Sequence, residues 1–303
     1  AQEQHVLPMM ADSVYRCPAF LAQPEEWRRT LKQSCVQPTI GQTVRSVTFL
    51  RLLRTLEQAG LRVVVMKGIT CRALYPNPDI RISTDEDLLV EENQFALTAQ
   101  CLEELGFQCM VREDREQSFE LGFTRRDGLY IELHKNLFPP QSDAYGDWNR
   151  FFDGAGERAV KSGEVYTLGH TDHLFYLICH AFKHFLHSGF GIRQLCDIAM
   201  YANAYGQQID WDKIYRNCCE INARTFAATL FVIAEKYLVF DAEKACYPQY
   251  FSENATDETN MLNDLLSAGV FGGATMSRKH SSNMTLDAVA TDKQGKIAGK
   301  SLK

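Results

Sequence analysis

The run RVVVMKG, residues 62–68, followed by TDEDLLV, residues 84–90, limits the folds open to this chain more than any other feature. Both runs are short and apolar, and the first is rich in β-branched residues, so both read as buried strands. The first ends on a glycine. The second opens on an Asp-x-Asp pair, Asp85 and Asp87, with Glu86 between them. Alternate residues of a strand share a face, so the two aspartates project to the same side. Leu88, Leu89 and Val90 behind them must enter a core, while the mouth of the strand lines an opening.

The surrounding pattern supplies the rest of such a core. Residues 1–60 read as helical. In TVRSVTFLRLLRTLEQAG, the residues Val44, Val47, Leu50, Leu53 and Leu56 recur at spacings of three, and Gly60 closes the helix. Asn93–Leu105 reads as an amphipathic helix closed by Gly106. FQCMV, SFELGFTRR and GLYIELHKNL then alternate as strands, with Asp127-Gly128 as a hairpin turn between the last two. Helices and strands in this mixed order predict an α+β fold. Residues 139–163 read as a loop-rich connector. From Thr171 onward the chain reads as helices, TDHLFYLICHAFKHFLHS, RQLCDIAMYANAY and DWDKIYRNCCEINARTFAATLFVIAEKYL, with Thr171 and Asp210 as N-caps. The tail after about Gly272 is polar and reads as loosely ordered.

Composition narrows the partners. The 303 residues carry a net charge of -6, with 45% hydrophobic and 23% charged residues and a pI of about 5.8. This is the make-up of a soluble globular chain rather than of one held to nucleic acid by bulk charge, so nucleic acid is not the expected partner. The ten cysteines form no CxxC pair and read as reduced thiols. No apolar run reaches the roughly 18 residues that span a bilayer, and the N-terminus lacks a signal-peptide layout. The expectation is a cytoplasmic protein without a membrane partner.

The carboxylates suggest metal chemistry. A Mg²⁺ ion takes hard oxygen ligands, one or two carboxylates from the protein and the rest from phosphates and water. A two-metal phosphoryl-transfer site needs a further carboxylate nearby. Glu132 is the candidate, because in LYIELHKNL the residues Tyr130, Glu132 and His134 share one strand face. A mid-strand carboxylate is costly to bury unless it is paired or bound to metal. His134 either orients that carboxylate or approaches the substrate.

The order of these pieces resembles the DNA polymerase β-type nucleotidyltransferase superfamily, and more closely a bacterial family of uncharacterised nucleotidyltransferases. The resemblance rests on VVVMKGIT, LYPNPDIRISTDEDLLV, LEELGF, IELHKNL, HAFKHF and IRQLCDIAMY, spanning about Val63 to Tyr201. It implies a small mixed sheet as a nucleotidyltransferase core, flanked by N-terminal helices and a C-terminal helical region. The expected divisions are residues 1–44, 45–169 and 170–303. It implies Mg²⁺-dependent transfer, with Mn²⁺ as the alternative ion, of a nucleotidyl group from an NTP, ATP first, to an unidentified small-molecule, peptide or protein acceptor. Asp85 and Asp87 match the metal-binding pair, and Glu132 the third carboxylate. The superfamily usually places Gly-Ser at the phosphate turn. Here Gly68 is followed by Ile69, and the nearest hydroxyl is Thr70. Lys67 and Gly68 then supply the charge and the close backbone approach that phosphates need. Arg81 either clamps a phosphate or bridges to the carboxylates. Arg72 reads as a surface residue. The resemblance also implies that similar chains continue past a comparable tail.

Two rival readings follow from other residues. His173, His180, His184 and His187 share one helix face. His180 and His184 could chelate an ion with Asp197, as in a metal-dependent His/Asp phosphohydrolase. They read first as half-buried residues flanking Leu174, Leu177, Ile178, Ala181 and Phe185, next as substrate contacts, and only then as metal ligands. The missing Gly-Ser supports a catalytically inactive nucleotide-binding protein.

Overall fold

The computed structural model describes residues 4–111, 114–115, 117–140, 146–187 and 190–267. The tail expected to be loose lies outside them. The chain divides into two compact units, Ala1–His173 and Leu174–Lys303.

The first unit is α+β, as the pattern predicts. Helices α1 (Leu7–Val14), α2 (Pro18–Leu21) and α3 (Glu25–Gln58) precede a five-stranded mixed sheet. The strands are β1 (Val64–Val65), β2 (Asp85–Leu89), β3 (Gln108–Cys109), β4 (Glu120–Thr124) and β5 (Tyr130–His134), in the order β1-β2-β5-β4-β3. Only β2 and β5 run parallel. Helices α4 (Ile69–Arg72) and α5 (Glu92–Glu104) lie between strands in sequence. A small hairpin, β6 (Val160–Ser162) and β7 (Val165–Thr167), follows.

Local chemistry explains the boundaries. Helices α3 and α5 end in the same way. Leu61 N–H reaches back to the Leu56 carbonyl and Gly60 N–H to Glu57, while Phe107 reaches Leu102 and Gly106 reaches Glu103. These paired bonds form a Schellman turn, which needs a left-handed residue and so a glycine. The β4–β5 hairpin turns at Asp127-Gly128, where Asp127 Oδ1 accepts from Leu129 N–H at 3.3 Å. Between the sheet and the helices lies a core of Phe49, Leu52, Leu53 and Leu56 of α3, Phe95 and Leu102 of α5, and Leu88, Leu121, Phe123, Ile131 and Leu133 of the strands.

Three expectations are corrected here. The buried face of α3 is Phe49, Leu52, Leu53 and Leu56, whereas Val44 and Val47 are exposed, at 54% and 45%. A strict spacing of three drifts around a helix of 3.6 residues per turn, so the stripe could not stay on one side. Residues 139–163 are more than a connector. Trp148, Phe152 and Ala155 are buried, and the hairpin beginning at Val160 is tied to β1 by Thr167, whose hydroxyl donates to the Val65 carbonyl at 2.7 Å. Sparse apolar residues there are long aromatics, which bury large areas without periodicity. Thr171 is not an N-cap, because α6 (His170–His187) starts one residue before it.

The second unit is helical. After α6 come α7 (Ile192–Tyr205), α8 (Trp211–Glu220), α9 (Arg224–Tyr237), α10 (Gln249–Ser252) and α11 (Thr259–Ser267). Asp210 caps α8 by accepting from Lys213 N–H at 2.8 Å. The stretch read as one helix from residue 210 is two, because Asn222 adopts φ 58° and ends α8. Its N–H bonds Cys219, and Ala223 N–H bonds Cys218, a Schellman turn built on asparagine instead of glycine. All ten cysteines are free. Among the described residues no helix is long and apolar enough to cross a membrane.

Truncating Leu56 to alanine should cost about 2–5 kcal/mol, because the site is fully buried. Val44→Ala should change stability by less than about 0.5 kcal/mol. Urea unfolding of both variants checks this, and equal losses would contradict the assigned face.

Candidate active site

The parallel pairing of β2 with β5 assembles the carboxylates. In register, Asp85 stands beside Tyr130, Asp87 beside Glu132 and Leu89 beside His134. The side chains of Asp85, Asp87, Tyr130, Glu132 and His134 therefore share the sheet face opposite the core. The antiparallel hairpin adds Glu120 of β4, paired with His134. Gly122 faces Glu132 in the same ladder, and a methyl group there would meet the Tyr130 hydroxyl at 2.6 Å.

Two internal cations sit among these acids. The Lys67 ammonium lies 3.2 Å from Asp87 Oδ2 and 3.7 Å from Asp85 Oδ2. His134 Nε2 lies 3.4 Å from Asp87 Oδ1 and 3.7 Å from Glu132 Oε2, and its Nδ1 is 3.6 Å from Glu120 Oε2. Burial opposes the charge on His134, but the Asp87, Glu132 and Glu120 carboxylates outweigh it and hold the imidazole at about 9. Burial likewise pushes Asp87 up, yet Lys67 and His134 carry it well below the usual carboxylate range. Burial raises Glu132, helped by the Asp87 charge and opposed by His134.

The acids fit a cation. Asp87, Glu132 and His134 can bring one ligand atom each within 4.8 Å of one another, and they are the one such trio among the described residues. Asp87 Oδ2 is buried and meets the Lys67 ammonium at 3.2 Å, so this oxygen already faces a positive charge. Asp85 stands outside that trio, at the more open end of the strand beside Lys67.

The turn at Gly68 behaves differently from its expected role. Gly68 takes φ 57°, and a Cβ there would lie 1.9 Å from Glu86 Oε2. That carboxylate fills the space and accepts the Ile69 N–H at 2.9 Å, at the start of α4. Its other oxygen pairs with Arg72, which also donates to Ser83 Oγ. Arg72 is thus 1% exposed and not a surface residue. The reading failed because the partner of Arg72 lies 14 residues away across the Gly68 turn. The Thr70 hydroxyl donates to the Lys67 carbonyl at 2.9 Å, so its proton is committed within the turn. Arg81 is buried, and its charge acts on Glu86.

The histidines of the helical unit are not drawn into a metal set. His180 and His184 stack edge to face at 4.6 Å, and His180 Nδ1 lies 3.4 Å from Gln194 Nε2. Asp197 is buried on α7. These three do not form a metal-sized group, which is the arrangement the hydrolase reading needs. His173 belongs to the first unit. It is fully buried, with Nδ1 2.9 Å from the Thr167 hydroxyl. Since Thr167 gives its proton to Val65, the imidazole donates from Nδ1. Sequence reasoning missed Glu120, Gln42, Ser83 and the Glu86–Arg72 pair. Glu120 could have been found by counting the β4 register back from the Asp127-Gly128 turn.

A family model described as "Uncharacterised nucleotidyltransferase" matches residues 1–239, most of the chain. The chain belongs to that family. No curated protein matches it.

Two outcomes follow. Gly68→Ala should destabilise the fold by at least about 1–3 kcal/mol, from backbone strain and from displacement of Glu86. Chemical denaturation checks this, and a neutral result would contradict the packed turn. His134 has a folded value above its ordinary 6.5, so its stabilisation is complete below that pH and is lost as pH rises through about 9. The thermal midpoint in chelator should therefore fall between pH 6.5 and 9, and His134→Phe should flatten that slope.

Proposed function

We propose that this member of the uncharacterised nucleotidyltransferase family transfers an NMP group from an NTP, with ATP as the first candidate, to an unidentified small-molecule, peptide or protein acceptor. The observation that carries the reading is the β2–β5 register, which sets Asp87 against Glu132 on one sheet face with Asp85 alongside. An acceptor oxygen or nitrogen would attack the α-phosphorus as the bond to the β-phosphate breaks, releasing pyrophosphate.

Asp85, Asp87 and Glu132 would hold Mg²⁺ or Mn²⁺, whose chemistry is to neutralise and align the phosphates. Oxygen donors suit those ions. His134, carrying its proton at neutral pH, is better placed to orient Asp87 and Glu132 than to ligate. Glu132, raised by burial, is the group to accept the acceptor's proton. The Lys67 ammonium would turn from the aspartates to the triphosphate.

One observation supports a second reading. The Ile69 N–H at the Gly68 turn is taken by Glu86 and not left for a phosphate. A nucleotide-binding protein without transfer activity accommodates that, as does a transferase that holds phosphates through Lys67.

Incubation with each α-³²P-labelled NTP, Mg²⁺ and cell extract, followed by mass spectrometry, should reveal a labelled acceptor. Glu132→Gln should lower labelling about 100-fold or more. Asp87→Asn should remove Mg²⁺-dependent NTP binding, while His180→Ala should leave it. NTP binding without any label transfer would favour the second reading, and no NTP binding at all would sink both.

A further inference from the structure

Strand alternation lays the carboxylate face out in rows. One row runs from Leu89 of β2 through His134 of β5 to Glu120 of β4, and the next from Asp87 through Glu132 to Gly122. This second row continues onto β3, because Met110 N–H donates to the Gly122 carbonyl at 2.8 Å, one step beyond the Cys109–Phe123 pair. Cys109 and Val111 pack against the core, so Met110 between them turns to the carboxylate side, where it is 62% exposed. The third row holds Asp85, Tyr130 and Thr124. Glycine leaves a gap in the row of Asp87 and Glu132, and Tyr130 leans into it. A Cβ on Gly122 would meet the Tyr130 hydroxyl oxygen at 2.6 Å and its Cζ at 3.4 Å, so the ring reaches across the sheet instead of standing away from it.

In-line displacement gives each reactant a side. Lys67 follows β1, which lies across β2 from β5, and its ammonium meets Asp85 and Asp87. A triphosphate held by Lys67 lies toward β1, and its pyrophosphate leaves that way. The attacking atom then comes from the opposite side, over Glu132. Beyond Glu132 on that side lies the surface of Tyr130, Gly122 and Met110. A glycine inside a paired strand weakens it and marks a place of close approach. Here it makes room for the Tyr130 ring, which is partly exposed. A phenol ring and a thioether offer an apolar, adaptable surface beside the acids. An aromatic ring can rest against Tyr130, stacked or edge to face, with a hydroxyl reaching Glu132.

We propose that Tyr130, seated on Gly122, and Met110 form the acceptor subsite, and that the acceptor carries its attacking hydroxyl on or beside an aromatic ring. This rests on the transferase reading, since the subsite takes its direction from the place of the triphosphate. Glu120 and His134, in the neighbouring row, bound it on one side.

The test is saturation-transfer NMR on the full chain with Mg²⁺ and a non-hydrolysable ATP analogue, with N-acetyltyrosinamide and N-acetylserinamide as probes. Both probes carry a hydroxyl, and only the first carries a ring. Transfer to the ring protons of the tyrosinamide is expected, and none to the serinamide. Tyr130→Ala should weaken the ring probe about tenfold, the worth of an aromatic contact and its buried area. Met110→Ala should weaken it about threefold. Both positions are at least partly exposed, so these variants should fold, and both should bind the ATP analogue as the parent chain does. Gly122→Ala should also weaken the ring probe, by displacing the Tyr130 ring. Binding of the analogue without binding of the ring probe overturns the proposal and leaves the transferase reading standing. Equal binding of the two probes overturns it, as does loss of the analogue in Tyr130→Ala, which would put that ring under the nucleotide. Ring binding without analogue binding removes the acceptor role, and binding of neither removes the transferase reading as well.

Discussion

The pairing of Glu86 with Arg72 across the Gly68 turn is the contact on which both faces of the β2 mouth depend. Glu86 sits between the two aspartates, so anchoring its carboxylate anchors theirs. Its two oxygens bind the start of α4 and the Arg72 guanidinium, which also holds Ser83 just before the strand. A buried ion pair of this kind adds little net stability, because desolvation offsets most of the attraction. What it adds is position. Losing one partner would leave the other charged and buried, so the strand mouth cannot relax to another register cheaply. The requirement for glycine at residue 68 is a consequence, since any Cβ would occupy the space of the carboxylate.

Strand alternation then divides the charge of this short segment. Asp85 and Asp87 go to one face and meet Lys67 and His134. Glu86 goes to the other and meets Arg72, with Arg81 and Arg45 near it. One face is acidic with built-in cations, and on the other Glu86 is paired with Arg72. The first holds Asp87 apart from bulk water without forcing it to protonate. Asp87 illustrates the balance, since burial alone would raise it and its neighbours carry it the other way.

Much of this was legible in the sequence because it is local or periodic. The glycines that end α3 and α5, the Asp127-Gly128 hairpin and the face shared by Tyr130, Glu132 and His134 all follow from rules spanning a few residues. The Asp85, Asp87 and Glu132 grouping was legible only as three positions that a parallel pairing would unite, and that pairing is set by tertiary packing. The burial of Arg72 and Gln42 was illegible for the same reason. Each looks like an ordinary surface residue until Glu86 and Ser83 are folded against it. Val44 and Val47 erred in the other direction, because apolar spacing cannot say which part of a 34-residue helix has something to pack against.

The position of Lys67 has a consequence for order of assembly. One ammonium neutralises Asp85 and Asp87, and in the proposed reaction it would have to turn from them to meet a phosphate. Releasing it without a replacement would leave Asp87 buried beside Asp85 with only His134 as counter-charge, and two like charges so close are strongly unfavourable. In the proposed reaction Lys67 would stay with the acids until another cation compensates them. A triphosphate arriving alone meets an ammonium already engaged, and a cation arriving alone must displace it with nothing to receive it. The two together satisfy every charge at once. Under the proposed function, nucleotide and divalent cation would bind cooperatively at the carboxylate face, coupled by the reach of a single lysine side chain from the residue before the glycine.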